Sequence, residues 1–190
     1  RRVSMNRVSV LGPSGSGKTT AAEAIADALE VPHLELDSVM HQPGWVPLDD
    51  VEFQARVEEF TRQARWVVDG NYTSRGVADI VWPRADTIVW LDLPRHVVMR
   101  QVTFRTLRRV IRSEELWNGN RERWSNLLSR RPEDNIVLWA WTRHRPTRAK
   151  YERHLAGETW THAAVYRLRG RSDLEALLAG LSSAGQPGPG

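Results

Sequence analysis

The octet Gly12-Pro13-Ser14-Gly15-Ser16-Gly17-Lys18-Thr19 constrains this chain more than any other feature. It fits the pattern G-x-x-x-x-G-K-[ST], which average residue usage would produce by chance in roughly one chain of this length per hundred. Its context narrows the reading further. Before it, Val8-Ser9-Val10-Leu11 reads as a short buried strand. After it, Thr20 to Leu29 is alanine-rich, with apolar residues at Ala21, Ala24, Ile25, Ala28 and Leu29, the spacing of one helix face. Strand, glycine loop and helix in that order make a phosphate-holding loop. Glycines let backbone N–H groups curl round an anion, and the helix N-terminus adds the positive end of its dipole. On this reading Gly12, Ser14, Gly15, Ser16, Gly17, Lys18, Thr19 and Thr20 hold the phosphates of ATP or a similar nucleotide. Lys18 reaches the β- and γ-phosphates, and the Thr19 hydroxyl ligates Mg²⁺.

The rest of the chain alternates strands with helices. Leu34-Glu35-Leu36 is a second candidate strand, ending at Asp37, and Pro43-Gly44-Trp45 is a turn. Asp49 and Glu52 have the spacing of a capping box for a helix to about Ala64, with Val51, Phe53, Val57 and Phe60 on or near its buried side. Trp66-Val67-Val68 is a third strand, ended by Asp69-Gly70-Asn71, and Thr87 to Leu91 is a fourth. Pro94 suits the first turn of a long helix to about Arg112. Val165 to Leu168 is a fifth strand, and Ser172 with Glu175 predicts a second capping box for a last helix through Leu181. From Ser182 the Gly/Pro/Ser-rich tail is expected to be disordered. The expected fold is therefore α/β: a three-layer P-loop NTPase sandwich of about five parallel strands between helices, in one domain over residues 1–181.

Composition sets outer limits. The chain has 190 residues and no cysteine, which excludes disulfides and thiolate metal sites. Val8 to Leu11 is too short for a signal-peptide core, and no stretch approaches the roughly 20 apolar residues of a membrane span. A cytoplasmic protein that makes no membrane contact is the expectation. Charge is unevenly placed. Residues 95–153 carry 15 Arg/Lys against 6 Asp/Glu, while the remainder carries 12 against 17. A concentrated basic segment attracts phosphate-bearing partners, whether nucleotide or nucleic acid. Only Lys18 and Lys150 among the 27 basic residues are lysines.

A phosphate loop specifies a ligand, not a reaction. Asp69 follows an apolar strand, but Gly70 rather than a second carboxylate comes next, and no guanine-reading N-K-x-D tetrapeptide is present. Short length with an Arg-rich insert, at about residues 100–135, favours a small kinase. There, mobile arginines would neutralise the transferring phosphate and exclude water.

Several stretches together resemble the adenylate-kinase-like family often labelled DNA topology modulation proteins. They are Gly12–Thr20, Leu36-Asp37 followed by Pro43-Gly44-Trp45, residues 66–72 (WVVDGNY), residues 85–95 (ADTIVWLDLPR) and residues 115–122 (ELWNGNRE), the last like the family's lid. The resemblance runs to about Leu181 and implies a nucleoside-monophosphate-kinase fold. One departure is informative. Where adenylate kinases have Asp-Gly-Phe-Pro-Arg, this chain has Asp69-Gly70-Asn71-Tyr72-Thr73, without the arginine that holds the acceptor's phosphate.

The remaining candidates follow from position. Open α/β sheets bind ligands beyond the carboxyl ends of their strands. Asp37 is expected there, and in similar small-molecule kinases a carboxylate at this place orients or deprotonates the acceptor hydroxyl. Asp69 is expected to hold the water shell of Mg²⁺. Asn71, Tyr72 and Arg75 are candidate acceptor contacts, and Trp45 can stack on a ring. Asp92 reads as a structural turn. Arg105 and Arg109 share a helix face and are the candidate catalytic lid arginines, ahead of Arg100, Arg108, Arg121 and Arg123. Trp117 and Trp124 are lid-packing candidates. The six histidines show no metal-ligand spacing. The leading functional expectation is a kinase moving the γ-phosphoryl of Mg-ATP to a hydroxyl or phosphate of a small acceptor, a nucleoside or nucleotide first. The alternatives are a nucleotide-dependent DNA-associated regulator and a nucleotide sensor with little turnover.

Overall fold

The computed structural model describes residues 5–112, 115–120 and 135–184. Five strands form one parallel sheet: β1 (Arg7–Leu11), β2 (His33–Glu35), β5 (Trp66–Asp69), β6 (Thr87–Leu91) and β7 (Ala164–Leu168), in the order β2-β5-β1-β6-β7. Two further short strands, β3 (His41–Gln42) and β4 (Val46–Pro47), pair antiparallel around the Pro43–Trp45 turn. The helices are α1 (Lys18–Leu29), α2 (Leu36–Met40), α3 (Asp50–Thr61), α4 (Val77–Val81), α5 (Arg95–Arg112), α6 (Ile136–Ala156) and α7 (Arg171–Ala184). No described helix is long and apolar enough to cross a membrane.

The sheet is covered on both faces, as parallel sheets require. Because successive strand residues point to opposite faces, β5 and β6 each divide their side chains between two cores. Trp66, Val68, Ile88 and Trp90 join Phe53, Val57, Tyr151 and Trp160 on one side. Val8, Val10, Val67 and Val89 join Ala22, Ile25 and Ala26 of α1 on the other, with Leu174, Leu177 and Leu178 of α7 packed against them.

Local chemistry accounts for most boundaries and for the departures from expectation. Asp49 caps α3, its carboxylate accepting from the Val51 and Glu52 amides at 2.9 and 3.4 Å. Val51, however, is exposed, and α3 stops at Thr61 rather than Ala64. Pro94 immediately precedes α5 and its carbonyl accepts from the Val97 amide. The second strand ends one residue early, at Glu35, and the chain turns directly into α2. The Ser38 hydroxyl donates to the Glu35 carbonyl at 2.7 Å and fixes that turn, so Asp37 stands in a helical first turn and not at a strand end. The Ser172–Glu175 capping box does not form. Ser172 lies inside α7, Asp173 accepts from the Arg169 amide at 2.7 Å, and Glu175 pairs with Arg171. Residues 182–184, expected to be disordered, are helical; residues 185–190 of the expected tail lie outside the described residues.

Asp92 is the structural turn that its position suggested. Buried at the end of β6, it accepts from Arg167 Nε and Nη2 at 2.9 and 2.6 Å and pairs with Arg148 at 3.2 Å. The network ties β6, β7 and α6 together. Removing the carboxylate leaves Arg167 without its main counter-charge. Asp92→Ala is therefore expected to lower unfolding free energy by about 3 kcal/mol, measured by denaturant titration, with a smaller loss for Asp92→Asn.

Candidate active site

The site begins where β1 turns into α1. Gly17 is the N-cap of α1 with φ 85°, a left-handed conformation natural to glycine. Lys18 and Thr19 then occupy the first helical turn, two residues earlier than the sequence pattern suggested. Gly15 has φ 81°, and a Cβ there would lie 2.6 Å from Val102 Cβ, so α5 packs directly on the loop. The Ser16 hydroxyl is buried and has no hydrogen-bond partner among the described residues. An orphaned hydroxyl beside glycine-rich backbone at a helix start fits an anionic ligand with several oxygens.

Carboxylates gather opposite this helix start. The Thr19 hydroxyl lies 3.0 Å from Glu35 Oε1 and 2.9 Å from Asp69 Oδ2. A hydroxyl has one proton, so only one of these contacts is a hydrogen bond at any moment. Two carboxylate oxygens about one hydroxyl oxygen make a donor set suited to a hard cation. His33 donates from Nε2 to Asp69 Oδ1 at 2.9 Å and fixes that carboxylate from behind. Lys18 donates from its ammonium to the Pro13 carbonyl of the loop at 3.4 Å. Burial pulls its ammonium below the ordinary lysine range, with Arg105 adding to the effect and Asp37, Asp69 and Glu35 opposing it.

Asp37 is held by Tyr72, whose hydroxyl donates to Oδ1 at 2.6 Å and lies 3.4 Å from His41 Nε2. Burial, then the charge and hydrogen bond of Asp37, push the Tyr72 phenol above its ordinary value, so it remains a donor. Burial lowers the His41 imidazole, and Arg75 lowers it further against Asp37. His41 stands edge-on to Trp45 with ring centroids 5.4 Å apart.

A second layer closes over this flank. Asn118 Nδ2 donates to the carbonyls of Ser38 and His41 at 3.3 and 2.5 Å. Asn120 Nδ2 donates to the Gln42 carbonyl at 3.0 Å, and the Trp45 amide donates to Asn120 Oδ1 at 2.9 Å. Asn118 adopts φ 55°, which asparagine tolerates, and Gly119 φ 77°, letting residues 116–120 fold back with the Leu116 amide on the Asn120 carbonyl at 2.7 Å.

The structure thus joins Thr19 to Asp69 and Glu35, and Tyr72 to Asp37, with Lys18 next to Thr19 in the first turn of α1. Arg109 shares the half-buried face of α5 with Arg105, while Arg100 and Arg108 are exposed. Thr20 is exposed on α1. Arg75 pairs with Asp50 at the start of α3. Asn71 turns onto Gly12. Arg121, Arg123, Trp124 and the Trp117 side chain lie outside the described residues. Sequence reasoning passed over Glu35, His33, Asn118 and Asn120. For Glu35 a signal existed: it follows Leu34 in a candidate strand, and alternation turns it to the side opposite that leucine. The asparagines carry no such pattern, because their partners are backbone carbonyls distant in sequence.

Neither a protein-family profile nor a curated protein matches the chain. Solved structures do. A gluconokinase from Sinorhizobium meliloti 1021 superposes with a TM-score of 0.51 at 20% identity, covering 98% of this chain and 100% of that one. Shikimate kinase from Acinetobacter baumannii, in complex with shikimate, gives 0.53 at 15% identity, with 97% of each chain covered. Shikimate kinase from Bacteroides thetaiotaomicron gives 0.50 at 16%, over 95% and 98%. The fold is that of the P-loop kinases, an α/β P-loop NTPase fold.

The paired carboxylates at Thr19 generate a prediction. Glu35→Gln and Asp69→Asn should each raise, by about tenfold, the Mg²⁺ concentration that half-saturates ADP binding, measured by titrating Mg²⁺ at fixed ADP.

Proposed function

We propose that this protein is a small-molecule kinase, transferring the γ-phosphoryl group of Mg-ATP to a hydroxyl of its acceptor. The observation that carries this reading is the placement of Asp37: aligned by Tyr72 in the first turn of α2, directly after β2, whose last residue Glu35 meets Thr19 of the phosphate loop. A carboxylate so placed is a general base for a hydroxyl arriving beside the phosphate loop. Three carboxylates, Glu35, Asp37 and Asp69, surround the cation and acceptor positions. They disfavour a second phosphate as the attacking group and favour an alcohol, whether of a nucleoside, a polyol or a hydroxy acid. The gluconokinase and shikimate kinases of like fold are named for acceptors that carry hydroxyl groups.

Bound Mg-ATP supplies the phosphoryl group and the cation that screens it. The loop amides of residues 15–19, the Ser16 hydroxyl and Lys18 hold the phosphate oxygens. Thr19, Glu35 and Asp69 hold the cation, directly or through its water. Asp37 takes the acceptor's proton as the new O–P bond forms and the bond from the γ-phosphorus to the bridging oxygen breaks, leaving ADP. Arg105, with Arg109 one turn further along α5, stabilises charge on the moving group. The side chains of Asn118 and Asn120 hold the backbone of residues 38–45 in place beside Asp37.

The test is ADP release from Mg-ATP against a panel of nucleosides, nucleoside monophosphates, sugar acids and polyols. Turnover should depend on one hydroxyl-bearing acceptor and vanish in Lys18→Ala. Asp37→Asn should cut kcat by about 10²–10⁴-fold while leaving ADP affinity within a few-fold, and Tyr72→Phe should cost about tenfold. Loss of ADP binding in Asp37→Asn would move Asp37 out of the acceptor site. Silence across the panel with binding intact would favour the sensor or DNA-associated reading.

A further inference from the structure

We infer that Asn71 and Tyr151 are positioning residues for the phosphate loop, and that through them α6 sets the loop's affinity for a nucleoside di- or triphosphate. The inference rests on the nucleotide-binding part of the proposed function and not on turnover.

The β1–β5 ladder ends just short of the phosphate loop. The two strands pair in parallel from Arg7 opposite Trp66 to Val10 opposite Asp69, and the Gly70 amide still reaches the Val10 carbonyl at 3.3 Å. Beyond that point the backbones part, because Gly12 leads into the loop and β5 gives way to residues 70–72. The Asn71 side chain continues the pairing. Its Oδ1 accepts from the Gly12 amide at 3.4 Å, and its Nδ2 donates to the Gly12 carbonyl. A primary carboxamide sets its oxygen and one N–H side by side, whereas a trans peptide group points them opposite ways; it therefore meets the N–H and C=O of the single residue Gly12, and Asn71 acts as one more rung where no strand remains.

That rung has an external anchor. The Tyr151 hydroxyl donates to the same Asn71 Oδ1 at 2.7 Å. Tyr151 is buried in α6 beside Trp90 and Trp160, with ring centroids 5.9 and 6.0 Å away. The Gly12 amide can only donate, so an oxygen must face it. The Gly12 carbonyl can only accept, so the two Gly12 groups together set which way the carboxamide faces; the Tyr151 hydroxyl, held in the core, donates to that same oxygen and pins its position. Lys150, the neighbouring residue, donates to the Thr73 hydroxyl, so α6 grips the segment after β5 at two points. α6 also packs along α5, whose Val102 lies against Gly15. The loop is thus braced at Gly12 by α6 and at Gly15 by α5, and the oxyanion-facing amides between them inherit their geometry from both.

The experiment is Mg-ADP titration of the full chain, followed by tryptophan fluorescence or calorimetry, with stability measured in parallel. Tyr151→Phe keeps the ring and removes only the donor. It should raise the Mg-ADP Kd about five- to tenfold, and any acceptor KM should stay within about twofold. Asn71→Ala should raise Kd more, and adding Tyr151→Phe to it should change nothing further, because the hydroxyl acts through the amide. Asn71→Asp should bind worst, since a carboxylate oxygen would oppose the Gly12 carbonyl. A Tyr151→Phe variant that loses stability yet binds Mg-ADP like the parent would overturn the inference, as would simple additivity of the two substitutions. A chain that never turns over an acceptor but shows this coupling would still support it.

Discussion

Parallel pairing is the constraint on which the structure depends. It makes every sheet strand finish at one edge, so Gly12 after β1, Leu36 after β2, Gly70 after β5 and Asp92 after β6 emerge side by side although they lie far apart in sequence. The chemistry at this edge needs no further folding principle to assemble it. Strand order then decides which neighbours meet. With β1 between β5 and β6, the phosphate loop has Asp69 on one flank and the Asp92 turn on the other. Asp69 faces Thr19, and Asp92 is neutralised by Arg167 and Arg148 to hold β6, β7 and α6 together.

Charge inside the site follows the same logic. Lys18 stands among Asp37, Asp69 and Glu35, with Arg105 approaching from α5. An isolated ammonium there would be costly to bury, and isolated carboxylates more so. Together they are tolerable, each sign offsetting the other. In the proposed function, bound phosphates would relieve Lys18 and Arg105, and a cation would relieve the acids.

Much of this was legible in the residues, for identifiable reasons. Strands β1, β5 and β6 were readable because fully buried parallel strands are short apolar runs, and the loop because its glycines and Lys18 have a fixed spacing. Asp49 and Pro94 act locally, and local signals survive in sequence. What escaped depends on contacts between distant residues. The long helix α6 contains Pro146 and mixes Trp139 and Trp141 with many arginines, so no clean apolar face announces it; its packing against α5 sustains it. Asp37 was expected at a strand end, but the Ser38 bond to Glu35 turns the chain one residue sooner, which moves the acid into α2 and brings Glu35 to Thr19. Asn71 and Tyr72 were candidate acceptor contacts by position, and the two side chains point apart: Tyr72 to Asp37, Asn71 to Gly12.

The clasp of residues 118–120 over α2 and the β3–β4 turn takes hold of main chain. Asn118 and Asn120 reach the carbonyls of Ser38, His41 and Gln42 and the amide of Trp45, and the side chains of those four residues take no part in these bonds. Side-chain identity and the seating of residues 118–120 are therefore separable. The side chains at positions 38, 41, 42 and 45 can be exchanged while the carbonyls and the amide that hold Asn118 and Asn120 stay in place. A lineage built on this scaffold can rewrite the surface beside Asp37 without giving up the bonds that seat residues 118–120.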